Sequence, residues 1–119
     1  MSLNKAFDEI CEAAKERKVE IDSERNNRLA ERIAELLEEE VRKFEARGNT
    51  LDNYALNTYT HVLATEAELA IMGTDGVKEY GKQAENLVAL VFELAERGKI
   101  DGVVVAGTST PYLTVANAK

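Results

Sequence analysis

Cysteine and histidine occur once each in this sequence, as Cys11 and His61, and tryptophan is missing altogether. A lone thiol cannot close an internal disulfide, which favours a reducing compartment and leaves stability to burial. One cysteine and one histidine supply only half of the nitrogen or sulfur ligands that a tetrahedral zinc site takes. A carboxylate-bridged di-iron bundle would need a second histidine and a glutamate three residues before each one, and position 58 holds Thr58. Long apolar runs are lacking too. No stretch approaches the ~18 residues of a membrane span. The opening Met1-Ser2-Leu3-Asn4-Lys5, soon followed by Asp8 and Glu9, has no apolar signal core, so a cytoplasmic protein without a membrane partner is expected.

Basic charge is also scarce. Fifteen Lys and Arg face 22 Asp and Glu, a formal net charge of -7 with an isoelectric point near 4.8. Binding to a phosphate backbone relies on clustered Lys and Arg, so no nucleic-acid partner is expected. The acidic surface keeps a small protein soluble, and it is also what an inhibitor of a basic partner would present.

What is present fits one globular domain over residues 1–119: 45% of the residues are apolar and 31% charged. A chain of this length buries roughly two thirds of its unfolded surface. Leu3, Phe7, Ile10, Cys11 and Ala14 follow helical spacing and predict a first, shorter helix from Leu3 to Arg17. Lys18 to Ile21 breaks that period with two alternating β-branched residues and reads as a connector or a one-rung strand. Asp22 or Ser23 can cap a second helix reaching Arg47, with Gly48 as its stop. Its stripe is Leu29, Ile33, Leu36, Leu37, Val41 and Phe44, and Glu24/Arg28, Glu38/Arg42 and Glu39/Lys43 are acid-first pairs four apart on its outer face.

Asn49 or Thr50 should cap a third helix from Leu51 to Met72. Its charged residues are only Asp52, Glu66 and Glu68, so cover on more than one side is expected. A fourth helix is predicted from Thr74 or Asp75 to Arg97, with Gly98 beyond it. Its apolar positions from Leu87 to Ala95 span roughly 200° of arc, wider than a surface helix needs, so it lies at the bundle centre or faces a second subunit. Short loops after Gly48 and Gly73 imply antiparallel neighbours. Leu29, Ile33, Leu37, Val41, Val62, Leu63, Leu87, Val88 and Val91 are the expected core.

Beyond Lys99 the helical period stops, and no charged residue occurs from Gly102 to Ala118. Val103-Val104-Val105 and Tyr112-Leu113-Thr114-Val115 favour strands around a turn at Gly107–Pro111, with Thr110 held extended by the following proline. The fold expected is mainly α: an antiparallel bundle of three long helices and a shorter N-terminal one, ending in a β-hairpin or extended arm over residues 100–119. Docking in cis would bury Val104, Leu113 and Val115. Docking in trans would make Val103, Val104, Val105, Tyr112, Leu113 and Val115 an association element, because an isolated hairpin is marginal and uncharged edges invite pairing.

No motif names a reaction. Gly76 to Lys82 has the G-x-x-x-x-G-K spacing of a phosphate loop, but a helix precedes it and Gln83 stands where Ser or Thr would hold magnesium. Glu35/Glu38 and Glu93/Glu96 are E-x-x-E pairs that could grip magnesium, yet they flank core residues and should point to water. Neither Cys11 nor any serine carries a nucleophile signature. No catalytic residue, metal or cofactor is assigned. One polar stripe is left: Tyr54, Thr58, His61, Thr65 and Glu68, at steps of four, three, four and three. It is read either as a hydrogen-bonded seam between helices or as a ligand or partner surface. Function therefore divides between a non-catalytic assembly protein acting as a homo-oligomer, an acidic inhibitor or immunity-type protein, and a small metal-dependent hydrolase or small-molecule binder.

Overall fold

The computed structural model describes residues 2–17, 22–72 and 82–116. Within them lie α1 (Ser2–Glu16), α2 (Asp22–Ala46), α3 (Asn53–Met72), α4 (Lys82–Glu96), β1 (Val103–Ala106) and β2 (Tyr112–Val115). The fold is mainly helical with a short antiparallel C-terminal hairpin. The connector at Lys18–Ile21, the predicted start of the fourth helix and most of the Gly76–Lys82 motif lie outside the described residues.

The stripe of α2 does what its spacing demands. Leu29, Ile33, Leu36, Leu37 and Val41 are all buried, and Phe44 is half-buried. Of the expected core, only Val62 departs, being half-buried on α3. From α1, Ala6, Ile10 and Ala14 enter the core, while Phe7 and Cys11 stay at its margin. The buried apolar residues form one continuous cluster, and the Cα radius of gyration of 14.0 Å is close to the ~13.5 Å expected of a compact chain this long.

Packing partners differ from the order of the chain. α1 packs mostly on α3 and less on α2, and α4 packs on both α2 and α3. The short loop after α2 therefore does not make α2 and α3 the tightest neighbours. It is α3 that meets the most elements: α1, α2, α4 and β2. That accounts for its poverty in charge. α4 packs on α2, α3 and β1, so most of its wide apolar arc is covered within this chain, with Leu90, Phe92 and Leu94 half-buried at the edges.

The start of α3 is a correction. The helix begins at Asn53, not Leu51, and the Asp52 carbonyl accepts its first backbone bond from Leu56 at 2.9 Å. Leu51 turns inward instead. Leu51 and Leu56 are both buried and stand at the two positions of a hydrophobic staple. α2 and α4 close alike. The Asn49 N–H donates to the Phe44 carbonyl at 2.8 Å, and the Lys99 N–H to that of Leu94 at 2.9 Å, across Gly48 and Gly98 at φ 76° and 70°.

On the outer face, the pairing of α2 also differs from expectation. Lys43 reaches Glu40 at 3.9 Å instead of Glu39. Glu38 does not pair with Arg42; its Oε2 accepts the Asp101 N–H at 2.6 Å and fixes the turn into the hairpin. A backbone donor held in place by the fold outcompetes a flexible, solvated guanidinium.

Candidate functional site

The hairpin has a buried face and an open one. Val103 pairs with Val115, Val104 with Thr114, Val105 with Leu113, and Ala106 with Tyr112. Because side chains alternate across a strand, Val103, Leu113 and Val115 turn inward and are buried, with Val105 half-buried beside them. β2 lies on α3 and β1 on α4, so the hairpin docks on its own bundle. The expected cis pattern was off by one pleat in β1: Val103 is buried, and Val104 faces outward at 40% exposure. Tyr112 shares that outer face at 39%. At the turn, Gly107 has φ 85°, and a Cβ there would lie 2.7 Å from the Thr110 carbonyl oxygen and 3.2 Å from the Tyr112 ring. Only glycine fits both the angle and the space.

One side chain joins hairpin to helix. The Asn57 amide of α3 donates from Nδ2 to the Leu113 carbonyl at 2.8 Å and accepts the Leu113 N–H on Oδ1 at 3.0 Å. A carboxamide thus takes the place of a neighbouring strand along the outer edge of β2. Its position on α3, one residue before Thr58, was not distinguishable in the sequence from an ordinary polar surface residue.

The polar stripe of α3 divides. Tyr54, Thr58, His61 and Thr65 line one shallow groove of about 390 Å³ together with Asn57, Val62 and Glu66. Tyr54 is 77% exposed, and Thr58 and His61 are exposed as well. The Thr65 hydroxyl donates to the His61 carbonyl of its own helix at 2.8 Å, so it makes no seam to a neighbour. Glu68, in contrast, is fully buried and belongs to the interior. Thr60, absent from the stripe, is the buried hydroxyl, donating to the Leu56 carbonyl at 2.8 Å.

Three of the E-x-x-E glutamates, Glu35, Glu38 and Glu93, border grooves between α2 and α4. Glu35 and Glu38 line one of about 630 Å³ with Arg97 and Lys99, and Glu93 lines a smaller one with Arg97. Arg97 pairs with Glu93, and Arg32 bridges Glu35 at 3.6 Å and Glu9 of α1 at 2.8 Å. Among the described residues no three of His, Cys, Asp and Glu come together as a metal-holding group. Cys11 lies against α3, its Sγ 3.8 Å from the Glu66 carbonyl and 3.9 Å from Glu66 Oε2. Burial, and then the Glu66 carboxylate, push its thiol above the ordinary range, away from reactivity. Tyr59 is pushed up more strongly, first by burial and then by Glu40, Glu39 and Glu9.

No helix among the described residues is long and apolar enough to cross a membrane. No family model, curated protein or solved structure matches the chain.

Proposed function

We propose that this is a non-catalytic assembly protein that works as a homo-oligomer and associates through its hairpin. The observation that carries this reading is the outer face of the hairpin. It holds exposed Val104 and Tyr112 inside a stretch with no charged residue, on a chain of net charge -7. Two such chains repel wherever their helices meet, and least where neither carries charge. Exposed apolar side chains on an uncharged strand pair are also what protein contacts recruit. The exposed, polar face of Tyr54, Thr58 and His61 on α3 adds to the surface open to a partner.

Light scattering coupled to size exclusion tests the proposal. The expected result is a mass well above 13.2 kDa that holds or rises with salt, since salt screens repulsion between like-charged chains. A 13.2 kDa monomer at every concentration overturns it. An acidic inhibitor would differ in kind: a monomer or dimer whose capture of a basic protein weakens as salt rises.

A further inference from the structure

The groove on α3 is not a cleft between elements. Among the described residues, all seven that line it belong to that one helix. Tyr54, Asn57, Thr58 and His61 stand at i, i+3, i+4 and i+7, and so do Thr58, His61, Val62 and Thr65. Four residues at that spacing make the hole that receives a knob from a facing helix, so the groove is two such holes in succession. Tyr54, Thr58, His61 and Thr65 also follow steps of four, three and four, the spacing of a helix-pair seam, within about 60° of arc. Tyr54, Thr58 and His61 are exposed. Thr65 turns its hydroxyl back to the His61 carbonyl, which leaves its methyl group for contact. From Asn53 to Thr65 there is no Asp, Glu, Lys or Arg, in a chain of which 31% is charged.

We infer that α3 pairs with α3 of a second copy, antiparallel, about a two-fold axis level with the Tyr59–Thr60 bond; this rests on the homo-oligomeric reading above. In that register Thr58 shares a layer with the other copy's His61, and Thr65 shares one with its Tyr54. Every layer joins one ring to one threonine, so the large side chains fill the hollows over the small ones. Size and charge select a second copy as the occupant. The order ring, threonine, ring, threonine is its own complement when reversed, so this helix supplies the partner its holes call for. Two chains of net charge -7 repel most where carboxylates meet, and the four seam residues carry none. Glu66, at the end of the groove, comes level with Asn53 of the other copy, the first residue of its α3, where a helix N-terminus favours negative charge. The seam also adjoins the hairpin, because Asn57 lines the groove and holds β2. A two-fold axis across both helices keeps that flank on one side of the pair, so the two hairpins lie on the same side. The contact uses the same patch in both copies, so pairing through it stops at two.

Oxidative cross-linking tests the register in the full chain, with Cys11→Ser as background. Tyr54→Cys and Thr65→Cys in one chain place two thiols about 16.5 Å apart along the same helix. A disulfide needs Cα atoms about 5.5 Å apart, so oxidation can join them only between copies. The expected result is a covalent species of twice 13.2 kDa for the pair, and 13.2 kDa for either substitution alone. His61→Glu tests the seam without cysteines, by setting two carboxylates beside each other across the axis. It should halve the mass of the unaltered chain and leave the helical signal unchanged, because position 61 is exposed; His61→Gln should keep the full mass. Cross-linking by either single substitution, or none by the pair, overturns the register. An oligomer whose mass is indifferent to His61→Glu overturns the seam and leaves the homo-oligomeric reading standing. A monomer at all concentrations overturns both.

Discussion

Asn57 carries more of the architecture than its residue type suggests. Its amide satisfies both backbone groups of Leu113, and the same Nδ2 reaches the Asn53 carbonyl at 2.6 Å. Replacing it with Ala leaves a half-buried strand edge unbonded. The cost should be about 1–3 kcal/mol, read from denaturant unfolding, with faster exchange at the Leu113 amide. An unchanged midpoint would show that the clasp is dispensable. Tyr59 and Cys11 lead to a second expectation, in pH. Both groups hold their protons more tightly when folded than when unfolded. Their contribution is therefore whole below the unfolded values of about 8.5 for the thiol and about 10 for the phenol, and declines as pH rises past them. The melting temperature should fall between pH 9 and pH 11, and Tyr59→Phe should reduce that fall; a parallel fall in both proteins removes Tyr59 as the cause.

Among the elements, α2 and α3 respond to truncation in opposite ways. Leu37→Ala empties a fully buried site and should cost about 2–5 kcal/mol. Thr58→Ala with Thr65→Ala removes one exposed hydroxyl and one bonded only within its helix, and should cost less than about 0.5 kcal/mol. A loss of several kcal/mol in the double variant would show a buried seam. The apolar period made α2 legible because one face of that helix alone is covered, so Leu29, Ile33 and Leu37 announce themselves. α3 was harder to read, since four neighbours blur its period and Thr60, Asn57 and Glu68 look alike from spacing. Exposure separates them: Thr60 and Glu68 are buried, and Asn57 sits where the hairpin lands. The strands were legible from Val103 to Val105 and Tyr112 to Val115, but which pleat faces the core depends on register, and one residue's shift exchanges Val103 for Val104. Leu51 escaped as well, because an apolar residue before a cap looks like a first helical turn.

At the scale of the whole molecule, the hairpin is part of the fold as well as a surface. Ile100, Val103, Leu113 and Val115 belong to the same buried cluster as the helices. A chain ending at Lys99 should therefore stay largely helical but melt well below the full chain, whatever happens to its mass; an unchanged melting temperature would mean the hairpin adds nothing to the bundle. The clasp between Asn57 and Leu113 joins residues 56 positions apart. That separation has a meaning in time. A ribosome adding about 5–20 residues per second leaves Asn57 waiting roughly 3–11 s for Leu113 to be made. For that interval the seat on α3 is bare in a half-finished chain, and among the charges that keep the nascent protein apart from its neighbours are Glu31, Glu35, Glu39 and Glu45 of α2, already made. The acidity of the finished protein would then have its first use before the protein is finished.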